Sequence, residues 1–192
     1  MSRRIAVVTT LCASAAACTS ILWRRITTKQ YDINMLLNGV LAGLVASTAG
    51  CSVIEPWAAV IVGAFCGPIL IGSSSLLVRL RIDDPLDATP VHLFCGLWGT
   101  FAVSLFANKN HVEQVYGESN VYGLFLGGGF GQMWVQIVGI IAVTGWSALV
   151  SFILFWTLNK FYLLRVNQDI ELAGLDNTKH GGPAYPYFQQ TL

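Results

Sequence analysis

Apolar positions gather in long uninterrupted blocks along this chain, without the two-residue or 3.6-residue alternation of half-buried elements. The blocks cover 5–23, 35–54, 57–78, 91–107 and 132–164. A helix needs about 20 apolar residues to cross a bilayer, so each block predicts one membrane span. The breaks between them are polar or basic: Arg24, Arg25, Lys29 and Asp32, then Glu55 and Pro56, then Arg79 and Arg81. The fifth block would form a helix of about 50 Å. That exceeds a hydrocarbon core of about 30 Å, so this helix is expected to tilt or to project from the bilayer. The pattern predicts an all-α membrane protein, with a transmembrane region over 1–164 and a polar, cytoplasmic C-terminal tail over 165–192.

Composition agrees with the pattern and excludes several classes. Of 192 residues, 54% are hydrophobic and only 11% charged, with a mean hydropathy of +0.60. Soluble domains carry roughly 25% charged residues, so too little charge is present to cover a soluble surface. The net charge of +1 offers no field to attract nucleic acid. The five cysteines, Cys12, Cys18, Cys51, Cys66 and Cys95, show no CxxC spacing and read as small buried hydrophobes, not as a disulfide framework or zinc site. Arg3 and Arg4 before an apolar run imitate a secretory signal. A first span accounts for the same residues.

Loop charges orient the spans. A cytoplasmic C-terminus puts Arg24, Arg25, Lys29, Arg79, Arg81, Lys160, Arg165 and Lys179 inside and Arg3, Arg4 and Lys109 outside, as the positive-inside rule favours. Arg3 and Arg4 then lie on the unfavoured side, which predicts further chain before Met1. Gly39 with Gly43, and Gly63 with Gly67, form GxxxG pairs, and Gly96 and Gly99 lie close together. Such small residues predict tight helix packing. Pro68 predicts a kink in the third span.

His92 is the most informative polar residue, because an ionisable side chain within a span is costly unless it faces a cavity or finds partners. A neutral imidazole there would donate from one nitrogen and accept at the other; the alternative is an interfacial histidine bonded to a backbone carbonyl. Asp83, Asp84 and Asp87 form a DDxxD pattern that could bind magnesium and a diphosphate, as in membrane prenyltransferases. That chemistry needs further acidic ligands, and no second paired motif stands at a span end. The structural alternative places Asp87 at a helix N-terminus, where negative charge is favoured. Gly127 to Gly131 lacks the residues of a phosphate loop and reads as flexible extracellular backbone. His111 reads as solvated, and His180 lies in the tail. No metal site and no cofactor is expected.

Three blocks give the chain a recognisable character. The first runs from Leu37-Asn38-Gly39 through Thr48-Ala49-Gly50-Cys51 to Pro56-Trp57-Ala58-Ala59. The second is Asp83-Asp84-Pro85-Leu86-Asp87-Ala88, followed by Val91-His92 and Cys95-Gly96-Leu97-Trp98-Gly99. The third is Gly174-Leu175-Asp176 with Thr178, His180-Gly181-Gly182 and Ala184-Tyr185. In order and spacing these resemble the ammonium transporter family, which includes methylammonium permeases and Rhesus proteins, and the tail is most similar to the plant-type branch.

The resemblance implies a register and a function. Family members have eleven spans in two inverted halves plus a long tilted last helix, and the five spans here resemble the seventh to the eleventh. A pair of facing histidines lines a hydrophobic pore that carries ammonium or ammonia; His92 matches the histidine of the second half, with Ala88 one turn before it and Asn38 nearby. Asp83, Asp84 and Asp87 match an acidic cluster at the cytoplasmic mouth. Gly174, Asp176, Thr178 and His180 belong to a regulatory tail in which phosphorylation of Thr178 would act as a switch. Leu93 departs from the small glycine that many members carry after the histidine. The resemblance further implies a homotrimer in the plasma membrane, in contact with lipid. It also implies that the half contributing the partner histidine is missing, so the chain alone is expected to conduct little. The alternative is a non-conducting assembly or regulatory subunit that joins full-length transporters.

Overall fold

The computed structural model describes residues 1–117 and 120–182. The chain divides into two units, Met1–Ala142 and Val143–Leu192, and each is taken by itself. In the first unit α1 spans Ser2–Thr28, α2 Ile33–Thr48 and α3 Pro56–Arg79. A π-helical turn, Thr89–Phe94, runs directly into α4, Cys95–Phe106. Then come α5, Lys109–Tyr116, a 3-10 turn at Leu124–Leu126, and the start of α6, Gly131–Lys160. Among the described residues no strand forms, only an isolated antiparallel bridge between Ile54 and Ala107.

Among the described residues four helical segments, Ser2–Thr28, Pro56–Arg79, Thr89–Phe106 and Gly131–Lys160, are long and apolar enough to cross a membrane. The second span is apolar but shorter than its hydropathy block: α2 has 16 residues, about 24 Å of helix. After Thr48 the chain folds into successive tight turns, with Cys51 N–H donating to Ser47 O at 2.9 Å and Ile54 N–H to Gly50 O at 2.9 Å. Those turns are as apolar as the helix, so composition alone does not mark where α2 stops. Asp32 starts α2 by accepting from Asn34 N–H at 3.0 Å and Met35 N–H at 3.2 Å, satisfying donors that the first helical turn leaves free.

Both GxxxG pairs close on one strip of α1. A Cβ on Gly39 would stand 2.5 Å from Ser20 Oγ, one on Gly43 2.7 Å from Ala13 Cα, and one on Gly67 2.6 Å from the Ser20 nitrogen. On Gly63 it would overlap the Cys12 carbonyl oxygen. Backbones therefore approach as closely as small residues allow. The order of these contacts makes α1 and α3 parallel and α2 antiparallel to both. Val8, Cys12, Ala16 and Ser20 of α1 are fully buried between them. The π turn and α4 close the unit: Gly99 packs against Ala46, and Trp98 Nε1 donates to Val62 O at 2.9 Å. Pro68 lies inside α3, which continues through it to Arg79.

The connection between the fourth and fifth spans is built, not loose as its glycines suggest. Asn108 caps α5 by accepting from Asn110 N–H at 2.9 Å. Gly123 N–H donates to Ala107 O at 2.8 Å, and Gly128 N–H to Gly123 O at 3.0 Å. A side chain on Gly128 would overlap the Tyr122 carbonyl, so this glycine serves close backbone packing.

In the second unit α6 continues to Lys160, giving a 30-residue helix of about 45 Å. Two short helices follow, α7 at Gln168–Ala173 and α8 at Leu175–Thr178, joined through Gly174 at φ 81°. Arg165 pairs with Glu171 at 3.1 Å. Ala184 and Tyr185 of the tail motif lie outside the described residues.

Candidate functional site

The segment carrying His92 is shaped by carboxylates on either side of Pro85. Asp84 Oδ1 accepts from Ala88 N–H at 2.9 Å and Oδ2 from Thr89 N–H at 2.7 Å, so one side chain caps the start of the π turn with both oxygens. The Thr89 N–H chiefly, with the Ala88 N–H adding, holds the Asp84 carboxyl below the usual carboxylate range, against a smaller desolvation effect. Asp87 has another task. It sits at φ 55° and receives the Ser74 hydroxyl on Oδ1 at 2.6 Å, which ties the loop to α3. Asp87 thus stands at the start of the turn, where the sequence places it, but its left-handed backbone turns the side chain toward Ser74, and the side-chain cap comes from Asp84. Asp83 is exposed.

Within the turn, Val91 N–H donates to Asp87 O at 3.0 Å, while Cys95 N–H reaches back five residues to Pro90 O. Pro90 has no N–H to give, and in the first positions of the helix that donor would have no partner within it; π turns of this kind are frequent at functional positions. Pro90, Val91 and Cys95 are buried, whereas Ala88, His92 and Leu93 are exposed. The buried residues anchor the turn, and Ala88 and His92, four residues apart, share its outer face. Among the described residues His92 makes no hydrogen bond. The half-buried Asn38 joins the same end from α2, donating from Nδ2 to Leu86 O at 3.4 Å. The structure therefore brings together Asn38, Asp84, Asp87, Ala88 and His92, from α2, the loop and the π turn. Among the described residues no group of three or more His, Cys, Asp or Glu stands in place to hold a metal.

The opposite end of the unit holds a polar cluster that sequence reasoning missed. His111 Nε2 lies 2.8 Å from Glu55 Oε1, which also accepts from Asn108 Nδ2 at 3.1 Å. Arg4 donates to Ser52 O at 2.9 Å and to Gln114 Oε1 at 2.6 Å. The expectation of a solvated His111 is corrected, because α5 places it against the first residue before α3. No local spacing signals this pairing, since 56 positions separate the two residues.

In the tail, the Thr178 hydroxyl donates to Gly174 O at 3.1 Å. His180 N–H reaches Leu175 O at 3.2 Å and Gly182 N–H reaches Asp176 O at 2.8 Å. Gly174, Asp176, Thr178 and His180 thus belong to one compact turn around α8. Thr178 and His180 are exposed on it.

Several helices long and apolar enough to span a bilayer, joined by glycine-mediated contacts, with a histidine on a π turn in one of them, define the class: a multi-pass α-helical membrane protein. The family model described as the Ammonium Transporter Family matches residues 1–185, and the chain belongs to that family, with plant-type relatives. It is 44% identical over 185 residues to Ammonium transporter 1 member 2 of Oryza sativa subsp. japonica, covering 96% of this chain and 37% of that protein. It is 42% identical over 187 residues to Ammonium transporter 1 member 1 of Arabidopsis thaliana, covering 96% and 37%. Among solved structures it matches Candida albicans Mep2 with a TM-score of 0.80 at 27% identity, covering 88% of this chain and 37% of that one. A Sensor Amt Protein matches with a TM-score of 0.78 at 29% identity, covering 92% and 41%. The chain spans under half the length of these relatives. The relatives are transporters, not enzymes, and the prenyltransferase reading of the DDxxD pattern falls with that.

Proposed function

We propose that this chain supplies the second half of an ammonium/ammonia pore, with His92, Ala88 and Asn38 on its wall and Asp83, Asp84 and Asp87 around its cytoplasmic mouth. One observation carries the reading: His92 is exposed and makes no hydrogen bond among the described residues, on an anchored π turn inside a segment long and apolar enough to cross a membrane. A bare imidazole facing hydrocarbon is costly. A facing element with a second polar side chain would relieve that cost, and a family pore supplies one. Ammonium is strongly hydrated and expensive to move into hydrocarbon, whereas ammonia is neutral. A neutral histidine pair would offer hydrogen bonds without adding charge, and potassium, which has no proton to shed, would gain nothing from it.

In this reading the chain alone conducts little, because the opposite wall of the pore is not among its helices. The assembly is a trimer in the plasma membrane with the tail in the cytoplasm, where phosphate on Thr178 would add nearly two negative charges to the turn around α8. The test is uptake of labelled methylammonium by cells lacking their own ammonium transport. The chain alone should match the empty vector. Co-expression with the part of the rice relative that it does not match should restore uptake, and His92→Ala should abolish it. Strong uptake by the chain alone would overturn the half-pore reading, and equal uptake with His92→Ala would overturn the role of His92. Reduced uptake on co-expression with the full-length rice relative would favour a regulatory subunit instead.

A further inference from the structure

The end of α1 reads Arg24-Arg25-Ile26-Thr27-Thr28. Thr27 alone among the serines and threonines of the chain has arginine both two and three positions before it. Protein kinases with an acidic substrate groove read that spacing, because each guanidinium pairs with a carboxylate of the groove while the hydroxyl meets the bound nucleotide. The local charge agrees: between 24 and 32 three cations, Arg24, Arg25 and Lys29, stand with one carboxylate, Asp32.

The structure sets this sequence on a part of α1 that packs against little. The last buried residue of α1 is Ser20, so Ile21 to Thr28 continue for about 12 Å past the packed part of the helix. Every residue from Arg25 to Tyr31 is exposed. Lys29 ends the helix at φ 63°, its N–H donating to Arg25 O at 3.0 Å. A kinase takes its substrate extended, so the last turn of α1 must unwind to be modified. Unwinding it breaks helical hydrogen bonds and uncovers no buried side chain, which puts this turn at the low-stability end of the fold. The hydroxyls bond only inside the helix end: Thr27 Oγ1 donates to Trp23 O at 2.9 Å, and Thr28 Oγ1 to Arg24 O at 2.8 Å.

We propose that Thr27 is a phosphorylation site for a basophilic protein kinase. With magnesium–ATP as donor, Thr27 Oγ1 bonds to the γ-phosphorus, and the bond from that phosphorus to the bridging oxygen breaks. ADP leaves with that oxygen, and the hydroxyl proton passes to the kinase's base. The product carries nearly two negative charges at the C-terminal end of a helix, where negative charge is unfavourable. Arg24, one turn before Thr27, lies 3.7 Å from Asp32, and the phosphate competes for it. Phosphorylation therefore frays the end of α1 and loosens its tie to the residue that starts α2. The inference rests on the preceding reading at one point. Because α1 and α3 are parallel, Thr27 and the Asp83–Asp87 loop stand at the same end, which that reading places in the cytoplasm, where ATP and kinases are.

The test incubates the full chain in detergent with magnesium, labelled ATP and the catalytic subunit of cyclic-AMP-dependent protein kinase, and maps the product by peptide mass spectrometry. Phosphate should enter at Thr27. Thr27→Ala should remove it and Thr28→Ala should retain it. Arg24→Gln with Arg25→Gln should lower the initial rate about tenfold or more, as expected for loss of two charge-assisted hydrogen bonds, and circular dichroism reports whether the variants keep their helices. Exchange of the 25–31 amides should quicken about two- to fivefold on phosphorylation. Detergent opens both ends of the bundle to the kinase, so this arm is independent of orientation. In sealed vesicles, Thr27 should be labelled where added protease also cleaves the 165–192 tail. No phosphate at Thr27 in detergent, or an unchanged rate in the folded arginine variant, would overturn the site. Labelling in detergent but, in vesicles, only where the tail is protected would overturn the cytoplasmic placement taken from the pore reading, and the site's use by a cytoplasmic kinase with it.

Discussion

Gly63 of α3 lies against the backbone of Cys12 in α1, so close that a Cβ on the glycine would overlap the Cys12 carbonyl oxygen. Backbone cannot yield as a flexible side chain would, so Gly63→Ala should push α1 and α3 apart. We expect a loss of about 1–3 kcal/mol, the usual cost of overpacking, seen as a lower melting temperature in detergent by circular dichroism. Gly72→Ala in the same helix, where a Cβ meets nothing within 4 Å, should leave the melting temperature unchanged or raise it slightly.

How much of this was legible in the sequence depends on the range of the interactions. The apolar helices were legible because each needs only local apolar composition, and the GxxxG pairs announced close packing. That both pairs close on the same strip of α1 was not legible, because Cys12, Ala13 and Ser20 carry no mark of it. The short helix α5 escaped notice for a related reason. It has eight residues and one buried anchor, Val112, too few to set up a periodic signal, and its fastenings to Glu55 and Arg4 come from distant segments. At the candidate site the residues were legible and their duties were not. Asp84 and Asp87 are the same side chain three positions apart, and only the left-handed backbone at Asp87 decides which one caps the turn.

That division of labour predicts an acid-sensitive turn. The Asp84 carboxyl is held below its ordinary 3.8 by the Thr89 and Ala88 N–H groups, so the folded state binds its proton less readily than the unfolded one. The cap's contribution is then fully present above the unfolded value and is lost as pH falls through the lower folded value. Hydrogen exchange at Ala88 and Thr89 should accelerate as pH drops below about 4, after correction for the intrinsic rate. Asp84→Asn, which keeps one acceptor and loses the charge, should exchange faster at neutral pH and lose this dependence. An unchanged profile in the variant would remove Asp84 from the capping role.

The contact between His111 and Glu55 predicts that α5 is released by removing either partner. Their side chains are 19% and 31% exposed, shielded enough for the bond to matter. His111→Ala or Glu55→Gln should weaken the attachment by about 1 kcal/mol, roughly a fivefold faster exchange of α5 amides. The double variant should add little to Glu55→Gln alone, which already weakens the His111 contact together with the Asn108 Nδ2 bond. Additive effects would mean that the two residues hold α5 independently.

The cysteines give a direct test of the three-helix packing. Cys12, Cys66 and Cys95 are fully buried, on α1, α3 and α4, whereas Cys18 is exposed and Cys51 half-buried. A thiol reacts only where reagent reaches it and its thiolate can form, so burial should protect the first three. Treatment of the folded chain in detergent with N-ethylmaleimide should add at most two labels, at Cys18 and Cys51, and denaturation should release the rest. Because Gly63 packs on Cys12 itself, Gly63→Val should bring Cys12 into the reactive set before global unfolding, while Gly99→Val, which opens α4 from Ala46, should leave Cys12 protected. Labelling of Cys12 at the same rate in both variants would mean that the helices separate together, and the local contact between Gly63 and Cys12 would then not be what holds α1 against α3.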